Sequence, residues 1–228
     1  MKKALSLLLV GAMTLSLAAC GNSSSDSAET DSAATEESTT TEASDSEGSG
    51  EAVFKIGGIG PITGGTAIYG TAVQNGIQIA VDEINAAGGI NGYQINYDFQ
   101  DDEGDSEKAI NAYNTLKDWG MQVLVGTVTS APCIAVAEET HNDNMFQITP
   151  SGTAVECVQY ENTLRMCFSD PTQGTESAKY IGENGMATKV AVIYDSSDVY
   201  STGIYEAFAA EAANQPFEIV SVEAFTAD

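Results

Sequence analysis

Four carboxylates in one short run, Asp101, Asp102, Glu103 and Asp105, form the densest group of side chains that could do chemistry. Carboxylates at this density can bind a divalent cation or act as an acid–base pair. The run lacks the other ligand positions of an EF-hand loop, and acidic residues in such a place commonly cap the next helix. We therefore expect a solvated turn that caps a helix, with calcium binding as the alternative.

The sequence offers little for covalent or acid–base catalysis. His141 is the single histidine, and Cys133 lies eight residues before it on one predicted helix, too far for a nucleophile–base pair. Neither a G-x-S-x-G nucleophile motif nor a phosphate-binding G-x-x-x-x-G-K-[ST] motif occurs. We expect His141 to be a surface residue at a helix end, and we expect no catalytic residues and no enzymatic activity.

A glycine-rich segment, GGIGPITGG at 57–65, could be taken for a dinucleotide-binding loop. The spacing does not fit, because Gly58 and Gly60 form a G-x-G but Thr63 occupies the third glycine position. Pro61 also removes a backbone amide that a phosphate would need. We expect no nucleotide, metal or other cofactor.

Small polar residues follow two predicted strands and precede helical or loop segments. Ser130 comes after the strand VLVG and shortly before a predicted helix, and Ser151 and Thr153 come after the strand FQITP. Open α/β sheets bind ligands at the carboxyl ends of their strands, and a helix N-terminus favours an anion. Helix capping is the alternative role for Ser130 and Thr153.

Strands and helices alternate from residue 53 onward, which predicts βαβ units in an α/β fold with a mostly parallel sheet and helices on both faces. The strands VLVG and VAVIY are continuously apolar and are expected to be buried. The predicted strands are at 93–102, 123–126, 145–151, 189–195 and 217–225, with a further strand that ends in a loop within 53–64. The predicted helices are at 70–87, at 106–119, from after Pro132 to about 141, from about 175, and at about 202–213.

The first fifty residues differ in composition from the rest of the chain. Residues 1–19 have a basic start, a short apolar stretch and small residues at the end, which is typical of a secretory signal peptide rather than a membrane span. Leu17-Ala18-Ala19-Cys20 resembles a bacterial lipobox, which implies lipidation of Cys20 and anchoring at the outer face of the cytoplasmic membrane. After Cys20, the tether up to residue 50 is almost entirely Ser, Thr, acidic residues, Ala and Gly, and residues 20–50 are expected to be disordered.

The net charge of −25 excludes one class of partner. With 33 acidic and 8 basic residues in 228, the chain has no basic surface for a nucleic-acid backbone. We expect no nucleic-acid partner, and we expect the protein to be a monomer.

A series of motifs between residues 53 and 228 carries a resemblance to a known family. They are GPITG, YG at 69–70, NG at 75–76, DEINAAGGING at 82–92, DDEGD at 101–105, VLVGTVTSAP, ITPSGT and R-x-C-F-x-D-P-x-Q-G. In this order they resemble type I periplasmic solute-binding proteins, specifically the branched-chain amino-acid receptor family of ABC importers. The lipobox fits this resemblance.

The resemblance implies two α/β lobes that close on a small ligand. Residues 51–168 would form the N-terminal ligand-binding lobe and residues 169–228 the start of the second lobe, which we expect to be incomplete in a C-terminally truncated chain, a small complete domain being the alternative. Arg165, Asp170, Gln173 and Gly174 would lie at the first crossing between lobes, in a hinge or structural role.

The resemblance also implies a ligand set. Ser130 and Thr153 would contact the carboxylate of an amino acid, and the Ser151 carbonyl and the Thr153 hydroxyl would accept from its ammonium group. Tyr69 and Tyr200 would form walls from the two lobes. An acidic residue and a further tyrosine of the family's set would fall beyond Asp228.

Three cysteines, Cys133, Cys157 and Cys167, remain once Cys20 carries lipid. An exported protein can hold a disulfide, and three cysteines allow three single pairings. We favour Cys157–Cys167, which closes a short loop, with free thiols as the alternative. The family's usual disulfide is not available, because Gly104 and Thr129 stand at those places.

The resemblance thus implies an extracytoplasmic binding lipoprotein that captures a branched-chain or related amino acid and delivers it to ABC permease subunits. The alternatives are the same scaffold with another small solute (an amide, a short-chain acid or an aromatic compound), a surface sensor without a transport role, and an exported α/β enzyme.

Overall fold

The computed structural model describes residues 53–227. The predicted signal peptide, Cys20 and the tether lie outside the described residues. Within them, seven strands alternate with five helices. The strands are β1 (Val53–Gly60), β2 (Gln94–Asp101), β3 (Val123–Val125), β4 (Gln147–Thr149), β5 (Thr163–Arg165), β6 (Lys189–Asp195) and β7 (Glu218–Phe225). The helices are α1 (Ala67–Ala86), α2 (Ser106–Trp119), α3 (Ser130–Asn142), α4 (Asp170–Glu183) and α5 (Val199–Ala212), with a 3-10 helix at Val155–Val158.

The strands form two parallel sheets, which confirms the α/β prediction. The first sheet has the order β2-β1-β3-β4-β5, and the second pairs β6 with β7. Right-handed crossovers put α1 on one face of the first sheet and α2 and α3 on the other. The loops that follow β1, β3 and β4 therefore meet at one edge of the first sheet.

The core of the first sheet lies between β1, β3 and the helices α2 and α3. Ile59, Tyr113, Leu116, Leu124 and Val136 are all fully buried there. Burial of such side chains contributes roughly 1.5–3 kcal/mol each. The glycines of β1 belong to this packing, since a Cβ on Gly57 would lie 2.5 Å from the sulfur of Met121.

Helix α2 coincides with its predicted range because both of its ends carry strong signals. Asp105 caps the N-terminus, accepting a hydrogen bond from the Lys108 amide. Gly120 ends the helix in the left-handed conformation at φ 89°, which glycine adopts without strain.

Helices α4 and α5 begin earlier than predicted. Helix α4 starts at Asp170 rather than near Thr175, because Ser169 caps it and Pro171 is tolerated in its first turn. Helix α5 starts at Val199 rather than Thr202, because the Asp198 carboxylate accepts from the first free amides. The prediction had treated both capping segments as loop.

The expectation that β6 is buried on both faces is wrong. Val190 and Val192 pack towards α4 and α5, but the Ile193 side chain is 73% exposed. In the part of the chain that the structure describes, β6 pairs only with β7, and helices cover one face of this sheet. Strand β3, in contrast, is central and well covered.

No helix within residues 53–227 combines the length and the apolar character needed to cross a bilayer.

Candidate functional site

The structure brings the five predicted ligand contacts into one cleft. Its volume is about 600 Å³. The predicted residues that line it are Tyr69, Ser130, Ser151, Thr153 and Tyr200. The cleft opens where the loops after β1, β3 and β4 meet the first turn of α5. Strand-end geometry therefore explains why residues so far apart in sequence are neighbours.

Ser130 is the first residue of α3 and is almost completely buried at the floor of the cleft. Its Oγ accepts hydrogen bonds from the backbone amides of Thr153 and Ala154, each at 3.2 Å. A hydroxyl has two acceptor lone pairs and one proton. Because the two amides use the lone pairs, Ser130 is left as a donor, which suits an anionic group of a ligand.

The N-terminus of α3 supplies further hydrogen-bond donors to the floor of the cleft. The first amides of a helix have no partner within the helix, and the helix dipole favours negative charge there. Thr129, which precedes the helix and lines the cleft, has a buried hydroxyl with no hydrogen-bond partner among residues 53–227. A carboxylate at this end of α3 would meet neutral donors.

Thr153 and Ser151 are held by backbone contacts of the neighbouring loop. The Thr153 carbonyl accepts from the Asp170 amide and from the Arg165 guanidinium, each at 3.0 Å. Ser151 donates its hydroxyl to the Val128 carbonyl at 2.7 Å. The Ser151 bond fixes the loop after β4 against the loop after β3, and the Thr153 bonds fix it against Arg165 and the start of α4.

Arg165 and Asp170 both contact the loop after β4. Arg165 donates to the carbonyls of Thr153 and Ala154. Its guanidinium therefore binds the loop after β4, and Arg165 is not among the residues that line the cleft. Asp170 is buried, and burial raises the pKa of its carboxyl above the ordinary value, while the nearby Thr153 hydroxyl and Arg165 act against this rise. Gly203 of α5 lies so close to Asp170 that a Cβ there would be 3.1 Å from the Asp170 Cβ.

Aromatic side chains form the upper walls of the cleft. Tyr69 in the first turn of α1 is 62% exposed, and Tyr200 in the first turn of α5 is 40% exposed. The Gln173 amide donates to the Tyr200 hydroxyl at 3.5 Å. Exposed aromatic walls above a polar floor suit a ligand with one polar and one apolar end.

Several lining residues were missed by the sequence analysis. They are Thr66, Gly104, Val128, Thr129, Ala131, Pro132, Cys167, Phe168 and Asp198. Asp198 is the one charged residue lining the cleft within the described range. The position of Asp198 directly before α5 is the sequence signal that could have identified it as a residue of the cleft. Cys167 and Phe168 could not be assigned from sequence, because their side chains reach the cleft only through the path of the chain after β5.

The acidic run after β2 is structural, and the prediction of a capping turn is confirmed at Asp105. Asp101 accepts from the Ile62 amide and the Thr63 hydroxyl and so holds the loop between β1 and α1. Burial raises the pKa of the Asp101 carboxyl, but these hydrogen bonds outweigh it and the net pKa lies below the ordinary value. Asp102 is fully buried, so the expectation of a solvated turn is wrong for this residue. Among residues 53–227, no group of three or more His, Cys, Asp or Glu side chains could hold a metal ion.

His141 and the three cysteines lie away from any nucleophile–base arrangement in the described part of the chain. His141 is exposed and stacks on Tyr160 with ring centroids 4.2 Å apart. Cys133, Cys157 and Cys167 are free thiols. The expected partner of Cys157 was Cys167, but Cys157 instead contacts Cys133, and the Cys167 sulfur lies 3.7 Å from the Gly152 carbonyl oxygen.

Comparison with known proteins agrees with this geometry. The family model described as periplasmic binding protein matches residues 53–228. The Leu/Ile/Val-binding protein BraC3 of Rhizobium johnstonii is 37% identical over 162 residues, which are 70% of this chain and 44% of the relative.

Two solved structures share the fold. The branched-chain amino acid transporter substrate-binding protein LivJ from Streptococcus pneumoniae, in complex with isoleucine, has a TM-score of 0.72 and 33% identity over 77% of this chain and 50% of that one. The leucine-binding protein LivK from Thermotoga maritima has a TM-score of 0.68 and 26% identity over 77% of this chain and 49% of that one. The chain spans about half the length of the relatives it matches. It has the α/β fold of type I periplasmic binding proteins, and it belongs to the periplasmic binding protein family.

Proposed function

We propose that this chain is the solute-binding component of an ABC importer and that its cleft takes a branched-chain or related amino acid. The observation that carries the proposal is the Ser130 hydroxyl, which has both lone pairs occupied and only its proton left to donate. A hydroxyl in this state, at the N-terminus of α3, is complementary to a carboxylate.

The cleft also offers acceptors that would suit an ammonium group. No lysine or arginine is among the lining residues of the described chain, and Asp198 is the one carboxylate. The Ser151 carbonyl and the Thr153 hydroxyl would add neutral acceptors. A cleft that offers both donors and acceptors would match a zwitterion.

The remaining walls are apolar or aromatic and suit a hydrocarbon side chain. Tyr69, Phe168 and Tyr200 are the aromatic residues that line the cleft, and Val128 and Pro132 are among the apolar ones. The names of the relatives, which refer to leucine, isoleucine and valine, support this ligand class.

The same proposal includes export and anchoring. Residues 1–19 would direct secretion, lipid on Cys20 would hold the protein at the outer face of the cytoplasmic membrane, and residues 20–50 would connect the anchor to the fold. The residue ranges 51–168 and 169–228 would act as parts of two lobes. The permease subunits would be the protein partners of a monomeric receptor.

A thermal-denaturation screen of the purified chain tests the ligand class. Leucine, isoleucine or valine at about 100 times its dissociation constant should raise Tm by about 5–10 °C, because binding to the native state adds about 2.7 kcal/mol. 4-Methylpentanoate lacks the ammonium and 3-methylbutylamine lacks the carboxylate, so neither should match leucine. A shift with an amide, a short-chain acid or an aromatic acid and none with leucine would favour the other-solute alternative. Consumption of any solute would indicate an enzyme.

A further inference from the structure

Two buried thiols lie against each other behind the floor of the cleft. Cys133 and Cys157 are each 0% exposed and form one cluster with Ala154. The Cys157 thiol donates a hydrogen bond to the Ser130 carbonyl oxygen, next to Cys133 in this cluster. Both side chains are therefore neighbours in one buried cluster and lie out of contact with solvent.

The two cysteines belong to the chain segments that carry the anion-binding groups. Cys133 lies in the first turn of α3, after Ser130, and Cys157 lies in the 3-10 helix that follows Thr153. The Cys157 sulfur is also 3.7 Å from the Ser130 carbonyl oxygen. A bond between the sulfurs would join these two segments directly behind Ser130.

We propose that Cys133 and Cys157 are a redox-active pair, which a small-molecule or protein disulfide converts into a disulfide that cross-links the two loops of the cleft. In the balanced exchange, one cysteine sulfur attacks the oxidant RSSR and releases one RSH. The second cysteine sulfur then attacks the mixed disulfide, which forms the Cys133–Cys157 bond and releases a second RSH. The two cysteines lose two electrons and two protons in total, and the oxidant gains them.

The environment identifies Cys133 as the attacking sulfur. The polar surroundings of Cys133, which include Cys157, Thr149 and Thr127, outweigh burial and lower the pKa of its thiol. The neighbouring Cys133 and burial raise the pKa of Cys157. The thiolate is the reactive form in thiol–disulfide exchange. Because neither sulfur is exposed, exchange takes place before the two loops pack or during local opening.

Cys167 is not the partner that this packing favours. It is partly exposed at the cleft, and its sulfur donates to the Gly152 carbonyl and to neither of the other sulfurs. Burial raises the pKa of its thiol. A Cys133–Cys157 bond would also close a longer loop than Cys157–Cys167, so it would remove more entropy from the unfolded chain.

Peptide mapping of the full chain tests the pairing. The folded protein is incubated with oxidised glutathione, denatured, alkylated and digested without reduction, and the peptides of all four cysteines are followed. The expected result is a linked Cys133–Cys157 peptide pair and an alkylated Cys167. A bond from Cys167 to either of the other two, or alkylation of both Cys133 and Cys157, would overturn the proposal.

Two variants and a stability measurement complete the test. Cys167→Ser should keep the linked pair, and Cys157→Ser should lose it. Oxidation should raise Tm of the wild type by about 5–10 °C, reversibly on reduction. The Tm of Cys157→Ser is compared with that of the reduced wild type to check that the variant still folds. A Tm unchanged by oxidation in a chain that carries the mapped bond would contradict the cross-linking effect on the two loops.

Discussion

The Ser130 side chain and the Thr153 backbone are directly joined, with the Thr153 amide donating to Ser130 Oγ at 3.2 Å. This bond connects the start of α3 to the loop after β4, two segments that belong to different βαβ units. It lies at the floor of the cleft, where both residues are almost fully buried. One hydroxyl thus holds two loops together and also offers its proton to the cleft.

Replacing Ser130 should reduce stability as well as binding. Ser130→Ala leaves the amides of Thr153 and Ala154 buried without an acceptor, so the free energy of unfolding should fall by ~1–3 kcal/mol. Urea denaturation measures this loss. Ser221→Ala, at an exposed position in β7, should change it by less than about 0.5 kcal/mol. Equal effects of the two substitutions would contradict the role given to Ser130.

Two glycines of α1 should respond in opposite directions to alanine. A Cβ on Gly70 would overlap the backbone of Pro61, whereas nothing lies within 4 Å of a Cβ on Gly76. Gly70→Ala should therefore destabilise the fold by ~3 kcal/mol or more through overpacking. Gly76→Ala should stabilise it by ~0.5–1 kcal/mol through helix propensity. Thermal denaturation of both variants checks this, and a stable Gly70→Ala protein would rule out the close approach of α1 to Pro61.

The buried carboxyl of Asp102 should make stability depend on pH. Burial raises its pKa to about 6 from 3.8, while the Gly104 amide acts against the rise. The neutral form is favoured in the folded state, so its contribution is fully present below about pH 4 and is lost as the pH rises through 6. The full effect corresponds to up to about 3 kcal/mol.

Asp102→Asn tests this dependence because asparagine is neutral at every pH and can still accept from Gly104. Denaturation midpoints at pH 4, 5, 6 and 7 should fall less steeply for the variant than for the wild type. At pH 7 the variant should be the more stable of the two. Parallel pH profiles of the two proteins would show that Asp102 does not titrate in this window.

Replacement of Tyr69, an exposed wall residue of the cleft, should lower ligand affinity and leave the stability of the fold unchanged. If the proposed amino-acid ligand is correct, Tyr69→Ala should weaken binding of leucine by roughly 10–100-fold, because an apolar contact of ~1.5–3 kcal/mol is removed. Tyr180→Ala is the matched control, since Tyr180 is equally exposed, at 62%, but lies on α4 away from the cleft. Calorimetric titration of both variants compares them, and equal affinities would place the ligand elsewhere.

The sequence was informative where one local signal determines one local structure. Helix α2 was predicted to the residue, because Asp105 and Gly120 mark its ends, and so was strand β6. The starts of α4 and α5 were misplaced, because Ser169 and Asp198 act as caps only in combination with the helix that follows. Ser and Asp are also common in turns.

The site was predictable only in part for a similar reason. That Ser130 and Thr153 lie together follows from the rule on strand ends. Cys167, Phe168 and Asp198 line the cleft because of how the chain passes from β5 to α5, and this path depends on packing between distant segments. The contact of Cys157 with Cys133 rather than Cys167 has the same origin, since proximity in sequence does not determine which buried side chains meet.

The buried floor of the cleft and its exposed walls have different roles. The floor residues maintain the fold of the cleft, and the wall residues determine its selectivity. Ser130 and Thr153 are held by backbone bonds, so few replacements at these positions are compatible with folding. Tyr69 and Phe168 are more than half exposed and can change at little cost in stability. Such a division lets new ligand preferences arise by a few substitutions around an unchanged polar anchor, and it gives directed evolution a short set of positions to vary.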